Sequence, residues 1–76
     1  MSTKILLNSI NDVKSFINKV SKYDCEVDLV SGRYIVNAKS IMGIFSLDLS
    51  KPIELKAVDC PDVQKLLDDI KEFIVE

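Results

Sequence analysis

Two serines and two cysteines are the side chains whose positions point to chemistry, because the chain contains no histidine. Ser9 and Ser40 each stand directly before a predicted helix, where a hydroxyl can cap the helix or carry a modification. The carboxylates form no convincing acid–base pair, and Asp68 and Asp69 lie on the predicted solvent face of the last helix. With only two glycines, the chain has no glycine-rich phosphate loop. These residue types predict a protein that is not an enzyme and that holds no metal and no cofactor.

The cysteines, Cys25 and Cys60, lie 35 positions apart. They form no C-x-x-C pair and have no histidine nearby to complete a zinc site. We expect two reduced thiols, as is usual for a cytoplasmic protein. A single bridge between them is the alternative.

Length and composition indicate one small globular domain over residues 1–76, with 47% hydrophobic and 29% charged residues. The net charge of −2 and the scattered basic residues argue against nucleic-acid binding, which needs a clustered basic surface. The start of the chain has no signal-peptide pattern, and no apolar stretch approaches the roughly 20 residues of a membrane span. We therefore expect a cytoplasmic protein that binds neither nucleic acid nor membranes.

Hydrophobic spacing predicts the elements of the first third of the chain. Residues 3–7 form a short apolar run that is typical of a buried strand. Ser9 is the predicted N-cap of the first helix, and Asp12 follows three positions later, close to a capping box. The core-facing stripe of this helix consists of Val13, Phe16, Ile17 and Val20.

From Cys25 the apolar period changes to two, which predicts a strand with one solvated face. Ser31 and Gly32 supply a tight turn, because glycine readily takes the positive φ that a hairpin requires. Residues 33–38 return as the partner strand. This pattern predicts a β-hairpin in the middle of the chain.

The remaining elements are a short helix, a strand and a long helix. Ser40 caps the short helix, which is predicted to run through Leu47. Residues 53–57 alternate as a fourth strand, and Pro61 is predicted as the first residue of the last helix. The apolar stripe of that helix is the clearest in the chain and comprises Val63, Leu66, Leu67, Ile70, Phe73 and Ile74.

The order β-α-β-β-α-β-α predicts an α+β fold. Strands that alternate with helices around one hairpin pack most economically as a four-stranded antiparallel sheet with three helices on one face. The stripes of the first and last helices should then lie on the same face of that sheet.

The short second helix has more apolar residues than it can bury. Ile44 and Leu47 can fill the core, so Met42 at least should face water. A protein-interaction site is therefore predicted at Met42, for which methionine is an adaptable contact. The alternative is that Met42 and the other apolar residues of this helix are ordinary core residues.

Residues 37–47, with the sequence NAKSIMGIFSL, closely resemble the signature around the regulatory serine of the histidine-containing phosphocarrier (HPr) family of the bacterial sugar phosphotransferase system. The resemblance covers essentially the whole chain and is densest over residues 32–47. It implies an open-faced β-sandwich, with partners among the proteins of that system or a transcriptional regulator. Ile41, Met42 and Phe45 match the residues through which the family docks on its partners.

The resemblance also exposes a departure, since the family accepts its phosphoryl group on a histidine at the start of the first helix. Aligning Phe16 with the family's phenylalanine places Ser9 at the histidine position and Asn11 at the position of the following arginine. Ser9 cannot replace the imidazole, because a phosphoserine ester is a poor phosphoryl donor. Ser9 is interpreted as an N-cap, with a residual anion site at the helix start as the alternative.

Ser40 matches the serine that a dedicated kinase phosphorylates in many Gram-positive members of the family. A phosphate there would lie at the positive end of the helix dipole, beside Lys39, and would add negative charge next to the apolar residues. The resemblance therefore makes Ser40 a candidate for regulatory phosphorylation.

Together these patterns favour a non-catalytic HPr-like module that regulates or binds other proteins through its second helix. One alternative is a phosphocarrier-related protein regulated at Ser40, and another is a phosphotransfer component with an unrecognised acceptor. A third is a structural paralogue that acts by self-association.

Overall fold

A four-stranded antiparallel sheet supports the helices of the computed structural model, which describes residues 2–75. In chain order the strands are β1 (Ser2–Ile5), β2 (Glu26–Ser31), β3 (Tyr34–Asn37) and β4 (Ile53–Val58). Their order across the sheet is β1-β4-β2-β3, so the two strands nearest the chain ends come together. The predicted antiparallel sheet is confirmed.

Three α-helices occur within residues 2–75: α1 (Ile10–Val20), α2 (Ile41–Phe45) and α3 (Val63–Ile70). A 3-10 turn, Lys71–Phe73, follows α3. The short α2 ends two residues before the predicted Leu47. No helix within the described residues is long and apolar enough to cross a membrane.

The last helix begins later than the sequence predicts. Pro61 lies in a turn, and the first helical residue is Val63, with Asp62 at the N-cap. Asp59, two residues before Pro61, adopts the left-handed region at φ 52°. Because this left-handed residue turns the chain between β4 and α3, helical geometry is reached only after Pro61.

The hairpin turn is shifted by one residue from the prediction. Ser31 pairs with Tyr34, so the two turn residues are Gly32 and Arg33 rather than Ser31 and Gly32. Gly32 has φ 62°, which a side chain would strain, and Arg33 has no positive φ. A positive φ at the first turn position alone is the pattern of a type II′ turn, which matches the twist of the flanking strands.

The core lies between one face of the sheet and the helices, which confirms the predicted arrangement of the helical stripes. Val13, Phe16 and Val20 of α1 are fully buried, as are Leu66 and Ile70 of α3. Of the other predicted core residues, Phe73 is buried. Ile17, Val63 and Leu67 are half-buried and lie at the margin of the core. Sheet residues that face the helices are also buried, namely Ile5, Val27, Leu29, Ile53, Leu55 and Ala57.

The first and last helical segments are joined through Phe73. Its ring meets Phe16 edge to face, with the ring centroids 6.0 Å apart, a favourable arrangement for aromatic pairs. The ammonium of Lys19 lies 5.6 Å from the Phe73 centroid and also forms an ion pair with Glu72. These contacts hold the end of the chain against α1.

The two cysteines form a disulfide, so the expectation of two reduced thiols is wrong. Cys25 stands directly before β2 and Cys60 in the loop before α3, with their Cα atoms 4.9 Å apart. Only the antiparallel pairing of β2 with β4 brings these distant positions together. The bridge therefore staples the start of β2 to the segment that leads into α3.

A tyrosine next to this bridge is tied to the last helix. The hydroxyl of Tyr23 donates a hydrogen bond to the carboxylate of Asp69. This hydrogen bond is the main cause that raises the pKa of Tyr23 to about 12. The phenol therefore remains a hydrogen-bond donor at every physiological pH.

Candidate docking site

The local geometry of α2 depends on a serine and a glycine. The hydroxyl of Ser40 accepts a hydrogen bond from the backbone N–H of Gly43 at 3.2 Å, which is the expected N-cap. A Cβ built on Gly43 would lie 3.2 Å from both the Ser40 hydroxyl and the Cβ of Val36. Glycine therefore lets α2 approach β3 closely while keeping its cap, which offsets its low helix propensity.

The helix points one side chain into the core and three toward the surface. Ile44 is fully buried, whereas Met42 is 77% exposed. Ile41 and Phe45 are 38% and 39% exposed, respectively. The exposure predicted for Met42 and Phe45 is confirmed, while their part in binding a partner stays a prediction.

A shallow groove of about 520 Å³ connects the end of α2 to the start of α1. Phe45 and Leu49 line it from one side, and Ser9 and Ile10 line it from the other. None of the described residues that line the groove is charged; the others are Leu7, Asn8 and Ser50. The fold thus brings Ser9 and Phe45, which are 36 positions apart in the chain, to one uncharged surface.

Sequence reasoning missed Ile10, which is 61% exposed at the first position of α1. An isoleucine directly after an N-cap is a usable signal, since it precedes the buried Val13 by three positions but lies beyond the edge of the core. Leu49, which is half-buried in the loop after α2, was also missed. We call Ile10, Ile41, Met42, Phe45 and Leu49 the docking surface.

Ser9 is an N-cap in a geometry that disfavours an anion. Its hydroxyl accepts a hydrogen bond from the backbone N–H of Asp12 at 3.1 Å. The Asp12 carboxylate in turn accepts the backbone N–H of Asn8 at 3.0 Å. This carboxylate places a negative charge in the first turn of α1, where an anion would otherwise be attracted. The structure therefore argues against the residual anion site considered for Ser9.

The cation expected beside Ser40 is engaged elsewhere. The ammonium of Lys39 donates a hydrogen bond to the backbone carbonyl of Tyr23 at 2.7 Å. Its backbone N–H donates to the Asn37 side chain at 2.8 Å, which fixes the turn before α2. Ser40 itself is exposed, so its hydroxyl is accessible at the edge of the docking surface.

Comparison with known proteins identifies a family whose sequence model matches most of the chain. The sequence model of the family described as "PTS HPr component phosphorylation site" matches residues 12–76. Comparison with curated protein sequences finds no significant match.

Solved structures of the same family share the fold. HPr-C-His from Thermoanaerobacter tengcongensis is 29% identical, with a TM-score of 0.74 over 95% of this chain and 89% of that chain. Crh from Bacillus subtilis is 26% identical, with a TM-score of 0.67 over 96% of this chain and 88% of that chain. The phosphocarrier HPr from Bacillus anthracis superposes with a TM-score of 0.76 over 99% and 96% of the two chains, and at 18% identity this likeness concerns the fold alone.

The match over residues 12–76 and the shared fold agree with the resemblance carried by residues 37–47. The chain differs from a phosphocarrier in having no histidine. It belongs to the HPr family of the sugar phosphotransferase system, as a divergent member without the phosphoryl-accepting imidazole.

Proposed function

We propose that this protein is a non-catalytic regulatory module that binds another protein through the docking surface. The observation that carries this proposal is the 77% exposure of Met42 on a helix whose neighbours lead into an uncharged groove. A contiguous apolar surface of this kind is typical of a protein-interaction site. The match to the family's docking residues at Ile41, Met42 and Phe45 points to the same surface.

The chemistry of the groove indicates the kind of partner. Because the described residues that line it carry no charge, its ligand is an apolar side chain or helix face rather than a phosphate or a nucleic acid. Components of the phosphotransferase system, or a transcriptional regulator of sugar use, are the partners that family membership supports. The proposed location is the cytoplasm, where those proteins act, although a structural disulfide such as Cys25–Cys60 is uncommon in that compartment.

Self-association is the second candidate function. The structure of Crh, a 26% identical relative, is described as a dimer formed by a swapping domain. This dimeric relative supports self-association of the present chain as the alternative function.

The binding proposal predicts that Met42→Ala and Phe45→Ala weaken partner capture from the native lysate by more than about 1 kcal/mol each if they are hot spots. The folding free energy should fall by much less in Met42→Ala than the roughly 2–5 kcal/mol of a buried large-to-small change, because Met42 is 77% exposed. Phe45→Ala should also cost less than a fully buried change, because Phe45 is 39% exposed. Pull-down and thermal unfolding on the same variants measure the two effects.

Val58→Ala is the matched control, since Val58 is 49% exposed but lies on β4, away from α2. It should leave both capture and stability nearly unchanged. If Met42→Ala and Phe45→Ala unfold the domain while the captured proteins stay the same, these residues are core and the proposal fails.

A charge at Ser40 should regulate the same surface. Ser40→Asp keeps an oxygen acceptor for the Gly43 N–H, so we expect its melting temperature to remain close to that of the wild type. The added carboxylate lies at the start of α2, and we expect it to reduce partner capture because an apolar partner would have to desolvate it. Ser40→Asn, which caps without charge, is the control. Equal partner capture by Ser40→Asp and Ser40→Asn would contradict a regulatory role for a charge at Ser40.

A further inference from the structure

We propose that the open edge of β3 pairs with β3 of a second copy of this chain, forming a weak antiparallel dimer. The sheet order places β1 and β3 at its two edges. The second half of the β1 edge is covered, because Val75 donates to the Lys4 carbonyl at 2.9 Å and Leu6, just after β1, donates to the Phe73 carbonyl at 2.8 Å. Among residues 2–75, no comparable segment covers β3.

The backbone register shows which groups of β3 point outward. The N–H of Ala38 donates to the carbonyl of Val27 at 2.8 Å, and the same register pairs Val36 with Leu29. Hydrogen-bonded and non-hydrogen-bonded pairs alternate along an antiparallel ladder. Ile35 therefore directs its backbone N–H and C=O away from β2, toward the free edge. The Asn37 N–H points the same way, whereas the Asn37 carbonyl already accepts the N–H of Ser40 at 3.0 Å.

The side chains of this edge lack the usual protection against pairing. Tyr34 is 65% exposed and Ile35 is 68% exposed, and β3 contains no proline and no charged residue. Natural proteins protect open edges with lysine, proline or a covering segment. An edge that is apolar, β-branched and hydrogen-bonding is suited to adding another strand.

The charges around the two ends of β3 determine which kind of strand can pair with its open edge. At the Gly32 end of β3, a depression is lined by three basic residues, Lys4, Arg33 and Lys51, against two acidic ones, Asp48 and Glu54. At the Asn37 end, a second depression is lined by three acidic residues, Asp24, Glu26 and Asp59, against Lys39. Of the three cations in the first depression, Arg33 adjoins β3, whereas Lys4 lies on β1 at the opposite edge of the sheet. The β3 edge therefore has a cation at its hairpin end and an excess of acidic residues at its Asn37 end.

A second copy of this chain supplies both the matching edge and the matching charges. In an antiparallel pair about a two-fold axis at Ile35, the hairpin end of each copy, with its cation, meets the acidic end of the other. Ile35 then pairs with its own symmetry mate, and Tyr34 lies opposite Val36 of the other copy. A parallel pair would bring like charges together, so the antiparallel arrangement is favoured.

The dimer should be weak and dependent on concentration. Four residues in each copy cover far less than the roughly 800 Å² per partner of a standard interface. We therefore expect a Kd of roughly 0.1–1 mM. Sedimentation velocity of the purified chain from about 20 µM to about 1 mM should show a growing dimer fraction, which decreases as salt is raised.

Two variants test the edge without breaking the existing sheet. Ile35→Pro removes an outward N–H that the second copy would need, so the dimer should be lost. The domain should stay folded, because the ladder to β2 is retained. Arg33→Glu should raise the Kd by roughly 2- to 30-fold, because the two-fold axis makes each substitution remove two exposed ion pairs. Val58→Thr, an uncharged change at an exposed residue of β4 that β2 separates from this edge, is the control and should dimerise like the wild type.

Cross-linking tests the register. Ile35→Cys places two thiols across the two-fold axis, where a hydrogen-bonded pair has a Cα separation of about 5.5 Å that suits a disulfide. Tyr34→Cys has similar exposure but lies opposite Val36, so it should cross-link much less. The native bridge is kept in both variants.

A chain that remains monomeric up to about 1 mM, or a dimer that persists in Ile35→Pro, would overturn the proposal. Equal cross-linking of the two cysteine variants would also contradict it. A dimer lost in Met42→Ala but kept in Ile35→Pro would assign self-association to the docking surface instead. The proposal is independent of partner binding, since the pull-down and the sedimentation experiment report on different variants.

Discussion

Incubated with phosphoenolpyruvate and the general phosphotransfer enzyme of the system, the purified protein is expected to take up no acid-labile phosphoryl group. The transfer needs an imidazole nitrogen as the nucleophile, and the chain has no histidine. The structure adds a second obstacle, because Asp12 places a carboxylate in the first turn of α1, where the incoming phosphoryl group would have to bind. Gel separation of labelled protein, with and without acid treatment, measures the result.

A histidine-containing member of the family in the same reaction is the positive control. A Ser9→Ala variant should behave like the wild type in this assay, since Ser9 is a helix cap rather than an acceptor. Any label that survives acid would indicate a serine ester, and Ser40→Ala would show whether it lies at Ser40. Acid-labile label that passes on to a sugar-specific transfer protein would contradict the non-carrier interpretation.

Opening the Cys25–Cys60 bridge is expected to cost about 2–4 kcal/mol of folding free energy. The bridge closes a loop of 35 positions, and losing it restores conformational freedom to the unfolded chain. For a domain of this size the melting temperature should fall by roughly 10–25 °C. Thermal unfolding with and without dithiothreitol, together with thiol titration of the unreduced protein, measures both the bridge and its effect.

A Cys25→Ser, Cys60→Ser double variant provides the control. It should melt close to the reduced wild type and should not respond to dithiothreitol. Two titratable thiols in the unreduced, folded protein would show that the bridge does not form in solution. A melting temperature that does not change on verified reduction would show that the bridge forms but does not stabilise the fold.

Much of the architecture could be predicted from the sequence, because local spacing determines it. The stripe of Val13, Phe16 and Val20 has the helical period, and its burial follows from that period alone. The caps at Ser9 and Ser40 were predicted for the same reason, since a hydroxyl before an apolar stripe satisfies backbone groups only a few residues away.

The boundaries that were wrong depend on contacts between distant segments. The start of the last helix at Val63 rather than Pro61 follows a loop in which Cys60 is bridged to the distant Cys25. The hairpin turn moved to Gly32 and Arg33 because pairing across the sheet sets the register. Local propensity does not contain this information.

The candidate site also combines features set by the local sequence with features set by the tertiary structure. The sequence alone established that this chain has no imidazole, and it identified the apolar excess of α2, because both are properties of residue type and short-range spacing. Only the tertiary structure joined Phe45 to Ser9 and Ile10 in one groove, paired Cys25 with Cys60, and left β3 with an open edge. These features arise from antiparallel strand order, which brings together residues far apart in the chain, and spacing along the chain cannot specify that order.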